Sequence, residues 1–290
     1  MRLLCALGLL LALLHVTSCL LIGAFNIRQF GPGKFDKPEA IKIITKIVQR
    51  YDIILIQEVR CNHDLSVPNK LLDLVNKGTT EFSYIVSEPL GPGIYKERYL
   101  FLYRFQKVTV TDSFQYEGKG FMRPPSVVKF SSTQTGKEFV LIPIHTSPLT
   151  AAQAAKKTKE SKEGYVYKST VEELDALVDV VAAVEQRWKN NNIMVLGDFN
   201  ADGTFVTKKD WKNIRLFTNT YFHWLIKDGV DTTVAAKSSN TYDRIVVTTE
   251  MEKGVEGRAE VFNFKTNYDL TQAQAEDVSD HFPVEVRLKP

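Results

Sequence analysis

Met194-Val195-Leu196-Gly197-Asp198-Phe199-Asn200 is the stretch on which the fold of this chain turns. Three consecutive apolar residues suit a strand buried on both faces, and the run stops at an acid and an amide. The pattern recurs. Ile53-Ile54-Leu55-Ile56 runs into Gln57 and Glu58, Phe25 into Asn26, and Leu141-Ile142-Pro143-Ile144 into His145. Near the C-terminus, Asp280 and His281 precede the apolar alternation Phe282-Pro283-Val284-Glu285-Val286. Carboxylates and amides at strand ends are expensive to bury unless paired or bound to a cation. Sheets that gather these ends would build an oxygen-rich site with two imidazoles. Hard oxygen ligands suit magnesium, manganese or calcium rather than zinc. Taken singly, each fragment is weak: an Asp-x-Asn is more often a turn or a cap, and a strand-end His is more often structural. Recurrence gives them weight.

Working outward, strand-like runs at Leu20–Ile27, Asp52–Gln57, Phe82–Ser87, Arg98–Arg104, Val127–Ser131, Glu138–His145, Ile193–Gly197, Asp243–Val247 and His281–Leu288 alternate with helical ones. The spacing predicts a helix near Asp36–Arg50, with Ile41, Ile44 and Val48 on one face, and another near Thr170–Trp188 with Leu174, Leu177, Val181 and Val184. No linker divides the chain, so a single domain of sheets covered by helices is expected. Ala151–Lys168 stands apart, with Lys156, Lys157, Lys159, Lys162 and Lys168 against Glu160 and Glu163. Such a stretch usually reads as a solvated loop, and the sharper alternative is a basic arm that touches phosphate.

Composition narrows the classes. Of 290 residues, 44% are hydrophobic, which excludes a disordered or collagen-like chain. The net charge of +3 does not announce a nucleic-acid binder, so an anionic substrate must be held by locally placed groups. Arg2, the apolar run Leu3–Leu14 and the small residues before Cys19 read as a signal peptide over residues 1–19, too short for the ~20 residues of a bilayer span. The mature chain, 20–290, is then expected to be secreted, free of the membrane and monomeric. Of Cys5, Cys19 and Cys61, only Cys61 survives that cleavage, so no intramolecular disulfide is expected.

These fragments also resemble a known family. Phe25-Asn26-Ile27-Arg28, Gln57-Glu58-Val59-Arg60, Tyr95-Lys96-Glu97-Arg98-Tyr99, Ile144-His145, Gly197-Asp198-Phe199-Asn200-Ala201-Asp202, Tyr242-Asp243-Arg244-Ile245-Val246 and Ser279-Asp280-His281-Phe282-Pro283-Val284-Glu285 look like the deoxyribonuclease I family of the endonuclease/exonuclease/phosphatase superfamily. The resemblance runs from Leu20 to the C-terminus. It implies an α+β fold, a four-layer α/β/β/α sandwich of two packed mixed sheets flanked by helices, with the site at one rim. It implies a metal-dependent endonuclease cutting DNA with little sequence specificity. Glu97 with His145 and Asp243 with His281 would be carboxylate–imidazole pairs, His281 activating water and His145 protonating the leaving oxygen. Asn26, Glu58, Asp198, Asn200 and Asp280 would hold magnesium or manganese and the scissile phosphate. Arg28, Arg60, Tyr95, Arg98, Arg123 and Tyr242 would contact the DNA backbone and minor groove, which reads width more than sequence.

The sequence departs from the family in several places. Gly203 and Asn240 stand where members commonly carry a disulfide, and Glu117–Arg123 is shortened where some have a second one. Asp231 and Thr233 match a structural calcium region, next to a changed Lys237. His63 and Val86 resemble part of an actin contact, but Ser126 replaces a small apolar residue there, so weak or absent actin binding is expected. The competing classes are an actin-sequestering protein without chemistry and a phosphatase or phosphodiesterase acting on a lipid or inositol phosphate.

Overall fold

Alternation along the strands builds the inner layers. In the computed structural model, which describes residues 19–61, 64–94 and 96–289, twelve strands form two six-stranded mixed sheets. The first has the order β11-β12-β1-β2-β4-β3, from β1 (Leu20–Phe30), β2 (Ile53–Val59), β3 (Phe82–Val86), β4 (Arg98–Arg104), β11 (Val255–Val261) and β12 (Val284–Leu288). The second runs β5-β6-β7-β8-β10-β9, from β5 (Val108–Gln115), β6 (Ser126–Ser132), β7 (Glu138–His145), β8 (Ile193–Asp198), β9 (Phe222–Trp224) and β10 (Asp243–Thr248). Ile22, Ala24, Ile53, Leu55 and Phe101 meet Leu141, Met194, Leu196, Ile245 and Val247 between the sheets. Their neighbours of opposite parity face the helices: Phe25, Ile54 and Ile56 on one side, Val140, Ile142, Val195 and Val246 on the other.

Helices α1 (Pro38–Gln49) and α2 (Ser66–Val75) cover the first sheet through Ile41, Ile44, Val48, Val67 and Leu71. Among the later helices, α3 (Ala151–Glu160) follows β7, α4 (Thr170–Trp188) covers the second sheet, and α5 (Gln272–Val278) returns to the first. The expected four-layer sandwich is what the chain adopts. Ile44 is wholly buried, and cutting such a side chain to alanine typically costs about 2–5 kcal/mol. No helix among the described residues is long and apolar enough to cross a membrane.

Following the inward parity to each strand's end locates the site. In β1 the series Ile22, Ala24 arrives at Asn26; in β2, Ile53, Leu55 arrives at Gln57; in β8, Met194, Leu196 arrives at Asp198. The same steps reach His145 in β7, Asp243 in β10 and, one residue before β4, Glu97. Register finishes the row: Asp198 pairs with His145 on one side and with Asp243 on the other.

Several expectations need correction or fall outside the described residues. Ala151–Glu160 is a helix, not a loop, because a Thr150–Gln153 capping box starts a run of good helix formers. Phe282 and Pro283 precede the last strand, which begins at Val284. The signal-peptide reading of residues 1–19 lies outside the described residues except for Cys19, as do His63 and Tyr95.

The loop after β8 bears on the missing cross-link. A Cβ built on Gly203 would lie 3.3 Å from Asn240 Oδ1, so the two positions face each other. Gly203 has φ +62°, where a side chain is strained by about 1 kcal/mol. The double variant Gly203→Cys/Asn240→Cys should gain the ~2–4 kcal/mol of a disulfide less that strain. The expected result is a higher unfolding temperature that falls back on adding dithiothreitol, while the wild type ignores reductant. A reductant-induced drop in the wild type would show an intermolecular bond instead.

Candidate active site

Asp198 is the centre. It is 2% exposed, and its Oδ2 accepts from Asn26 Nδ2 at 3.0 Å across the gap between the sheets. Oδ1 accepts from the backbone of Asn200 at 2.9 Å, which bends the chain after β8 and leaves Asn200 at φ +47°. Asn200 then donates to the Thr146 carbonyl at 3.1 Å. Two imidazoles converge on the same carboxylate oxygen: His145 Nε2 lies 3.5 Å from Asp198 Oδ2 and His281 Nε2 lies 3.7 Å from it. Each ring is anchored behind. His145 Nδ1 is 2.9 Å from Glu97 Oε2, and His281 Nδ1 is 2.7 Å from Asp243 Oδ2. A carboxylate behind Nδ1 fixes the tautomer and leaves Nε2 to do the chemistry.

Neighbouring groups hold these partners in place. Tyr99 Oη accepts from His145 N at 3.0 Å, and Arg123 donates to the carbonyls of His145 and Thr146 at 3.1 and 3.0 Å. Thr232 Oγ1 accepts from the backbone of Tyr242 and Asp243. Ser279 Oγ donates to Asn26 O and accepts from His281 N. One carboxamide ties the sheets at the rim: Gln57 Nε2 donates to Ile144 O at 2.6 Å, and its Oε1 accepts from Asp198 N at 2.9 Å. Gly197 makes room for it, since a Cβ there would sit 2.3 Å from Ile144 O and 2.8 Å from Gln57.

Charge is set by these contacts. Burial alone would raise the Glu97 carboxyl, but His145, Arg123 and Arg60 outweigh it and hold it at about 2. Burial and Arg123 oppose a proton on His145, yet Glu97 and Asp198 shift it upward on balance. Burial likewise opposes the His281 imidazolium, but Asp243 and Asp198 lift it to about 10.

Three carboxyl or amide oxygens at this rim are buried without a donor: Asn26 Oδ1, Asp243 Oδ1 and Asp280 Oδ1. Orphaned buried acceptors are costly, and a hard cation with its water satisfies them. Asp198, Asp243 and His281 also place ligand atoms within 4.8 Å of one another. The oxygen-rich donor set fits a divalent ion of the magnesium, manganese or calcium kind.

Other expected site residues are placed nearby or elsewhere. Glu58, at φ +59° beside an irregularity in the β2–β4 register, accepts from Gln29 N and pairs with Arg60. A non-glycine residue held in that region stores strain typical of functional sites. Arg60 also reaches Glu97 at 3.6 Å, and its Nε is buried without an acceptor. Arg28 lies 3.7 Å from Asp280 at the exposed lip, and Tyr242 lies near the His281 ring. Arg98 is a correction: only 7% exposed, its guanidinium is engaged by the carbonyls of Cys61 and Ser87 and cannot lie against DNA. Arg123 is mostly buried as well and braces the His145 backbone. Asp231 is capped within its own turn by the amide and hydroxyl of Thr233, and the same turn bridges to His281.

Sequence reading missed Glu173. This wholly buried acid of α4 accepts from Met122 N at 2.6 Å and from Ser147 N, joining the Arg123 loop to the chain after His145. Burial pushes its carboxyl up to about 7. Its signal was an acid on the apolar face of that helix. Glu173→Gln should lower the unfolding temperature, because the new amide turns a donor toward an N–H; a buried polar group left unpaired costs about 1–3 kcal/mol. Cleavage should fall about tenfold as Arg123 and His145 loosen, in line with that cost. Wild-type melting and rate would remove Glu173 from the support.

The sequence profile of the Endonuclease/Exonuclease/phosphatase family matches residues 23–281. Bovine Deoxyribonuclease-1 is 44% identical, with 97% of each chain covered, and human Deoxyribonuclease-1 is 41% identical over 100% of this chain and 99% of that one. The chain belongs to the deoxyribonuclease I family. Its fold is shared more widely. The human Nocturnin catalytic domain superposes with a TM-score of 0.64 at 13% identity, covering 93% of both chains. An endonuclease/exonuclease/phosphatase from Bacteroides vulgatus gives 0.60 at 18% identity, covering 93% of this chain and 98% of that one. This chain presents two His–carboxylate pairs on one acid.

Proposed function

We propose that the protein is a secreted, divalent-metal-dependent endonuclease that hydrolyses phosphodiester bonds of duplex DNA with little sequence specificity. One observation carries this reading: the Nε2 atoms of His145 and His281 face a single oxygen of Asp198, each ring backed by its own carboxylate. A phosphate seated there meets a proton donor and a proton acceptor together. With Asp198 neutralised, the His281 imidazole loses one of the charges that retain its proton and becomes a base for water. His145, whose proton Glu97 favours, is placed to hand it to the departing oxygen.

Asn26, Asp198 and Asp280, with Glu58 and Asn200 beside them, would hold the cation, which supplies charge neutralisation at the phosphorane-like transition state. Arg28, Arg60 and Tyr242 would meet the backbone of the duplex, and Tyr95 with them. Residues 1–19 would serve as the export signal. The calcium role of Asp231 and Thr233 rests on the family resemblance, and a melting series in calcium tests it by mass action. The discriminating assay is plasmid cleavage. Excess chelator should abolish nicking, and magnesium or manganese should restore it. Full activity in chelator, or hydrolysis of an inositol phosphate with intact plasmid, would overturn the reading.

A further inference from the structure

The chain between Leu149 and Thr170 leaves the catalytic rim and comes back to it. Leu149 follows His145 by four residues, and Thr170 returns to the start of the excursion, its N–H donating to Leu149 O and its hydroxyl to Ser147 O at 2.7 Å. Within the excursion, α3 runs about 15 Å at 1.5 Å per residue, and Ala154 is its single buried residue. The sandwich gains almost no core from this element. It is ordered nonetheless. Thr158 Oγ1 donates to Ala154 O and accepts from Tyr167 N at 2.8 Å, folding the return segment onto the helix, with Lys157 over the Tyr167 ring.

What the excursion presents to solvent is basic and partly aromatic. Lys156, Lys157, Lys159 and Lys162 are all exposed, with Tyr165 and Val166 beyond them. Lys156 pairs with Glu160, whereas Lys159 and Lys162 have no acidic partner among the described residues. Lys156 and Lys159 are three apart and share a helix face, and Lys162 follows just past the helix end. Ammonium groups carried on an excursion whose two ends are joined just after His145 match the charge of an anionic polymer cut there.

We infer that α3 and the segment after it form a clamp that grips duplex DNA phosphates outside the bond being cut, through Lys156, Lys159 and Lys162. This rests on the endonuclease reading and extends it to the reach of the substrate. Each phosphate contact contributes a salt slope of about 0.9. A short duplex held only at the rim leaves the clamp empty.

The test compares the wild type with K156Q/K159Q/K162Q on a long linear duplex and on a duplex of about one helical turn. For the variant, KM on the long duplex should rise about tenfold with kcat unchanged, a loss of the size expected for a few phosphate contacts near physiological salt. The slope of log(kcat/KM) against log[salt] should become shallower by about 2–3. Kinetics on the short duplex should stay the same. Unaltered KM and salt slope on the long duplex would overturn the clamp while leaving the endonuclease reading intact. A wild type that cuts neither duplex would overturn that reading itself. Binding to phosphatidylserine vesicles that is lost in the variant, with DNA kinetics unmoved, would assign the lysines to a membrane surface and also overturn the proposal.

Discussion

His145→Ala and His281→Ala should each cut DNA hydrolysis by at least ~100-fold, and by up to ~10⁴-fold, the range for a positioned acid or base. Both imidazoles hold Nε2 on one point, and both are nearly buried, so no neighbouring group stands in for either. The two losses should not add, because the rings act on one transition state as a unit. Changing the leaving group separates their roles. A phosphodiester with a nitrophenolate leaving group needs little protonation, so it should recover much of the rate in His145→Ala and little in His281→Ala. The measurement is kcat on plasmid and on that ester in saturating magnesium. Near-normal plasmid cleavage by either variant removes that histidine from the chemistry, and recovery in His281→Ala with little in His145→Ala reverses the division of labour.

Asp198→Asn should be inactive at the sensitivity of a plasmid assay, a loss of about 10⁴-fold or more if both charge and orientation are removed. The carboxylate accepts from Asn26 and Asn200 and faces both rings, so an amide of the same shape removes the charge and inverts one hydrogen bond. The fold should survive, because the Asp198 backbone keeps its N–H bond to Gln57 Oε1 and its place in the sheet. Manganese binding followed by calorimetry should weaken in parallel with the rate. Wild-type cleavage by a well-folded Asp198→Asn would displace the acid from the centre of the site.

The sequence disclosed strand ends better than it disclosed supports. A buried strand that stops at a polar residue is visible because local composition changes there, so Asn26, His145 and Asp198 stood out. Alternation alone carries them to the same side of their sheets, and this is why they meet. Glu173 and Tyr99 act through partners dozens of residues away, and nothing in their local sequence reports such pairings. Arg98 misled for the same reason: an arginine beside a motif looks like a surface cation until the carbonyls around it are known. The edge strands β5, β9 and β11 went unread because exposed or short strands lack the continuous apolar run that flags a central one.

The Gln57 carboxamide, lodged in the notch at Gly197, has a further consequence. Two sheets pinned at their working edge leave the described catalytic groups assembled before any nucleic acid arrives, so no closing movement is needed to bring them together. Enzymes that discriminate finely often insert such a movement as a checkpoint, so that a wrong partner departs before the chemistry starts. A rim fixed in advance forgoes that proofreading step. A stretch of backbone that settles into it meets groups already in place, which suits a nuclease.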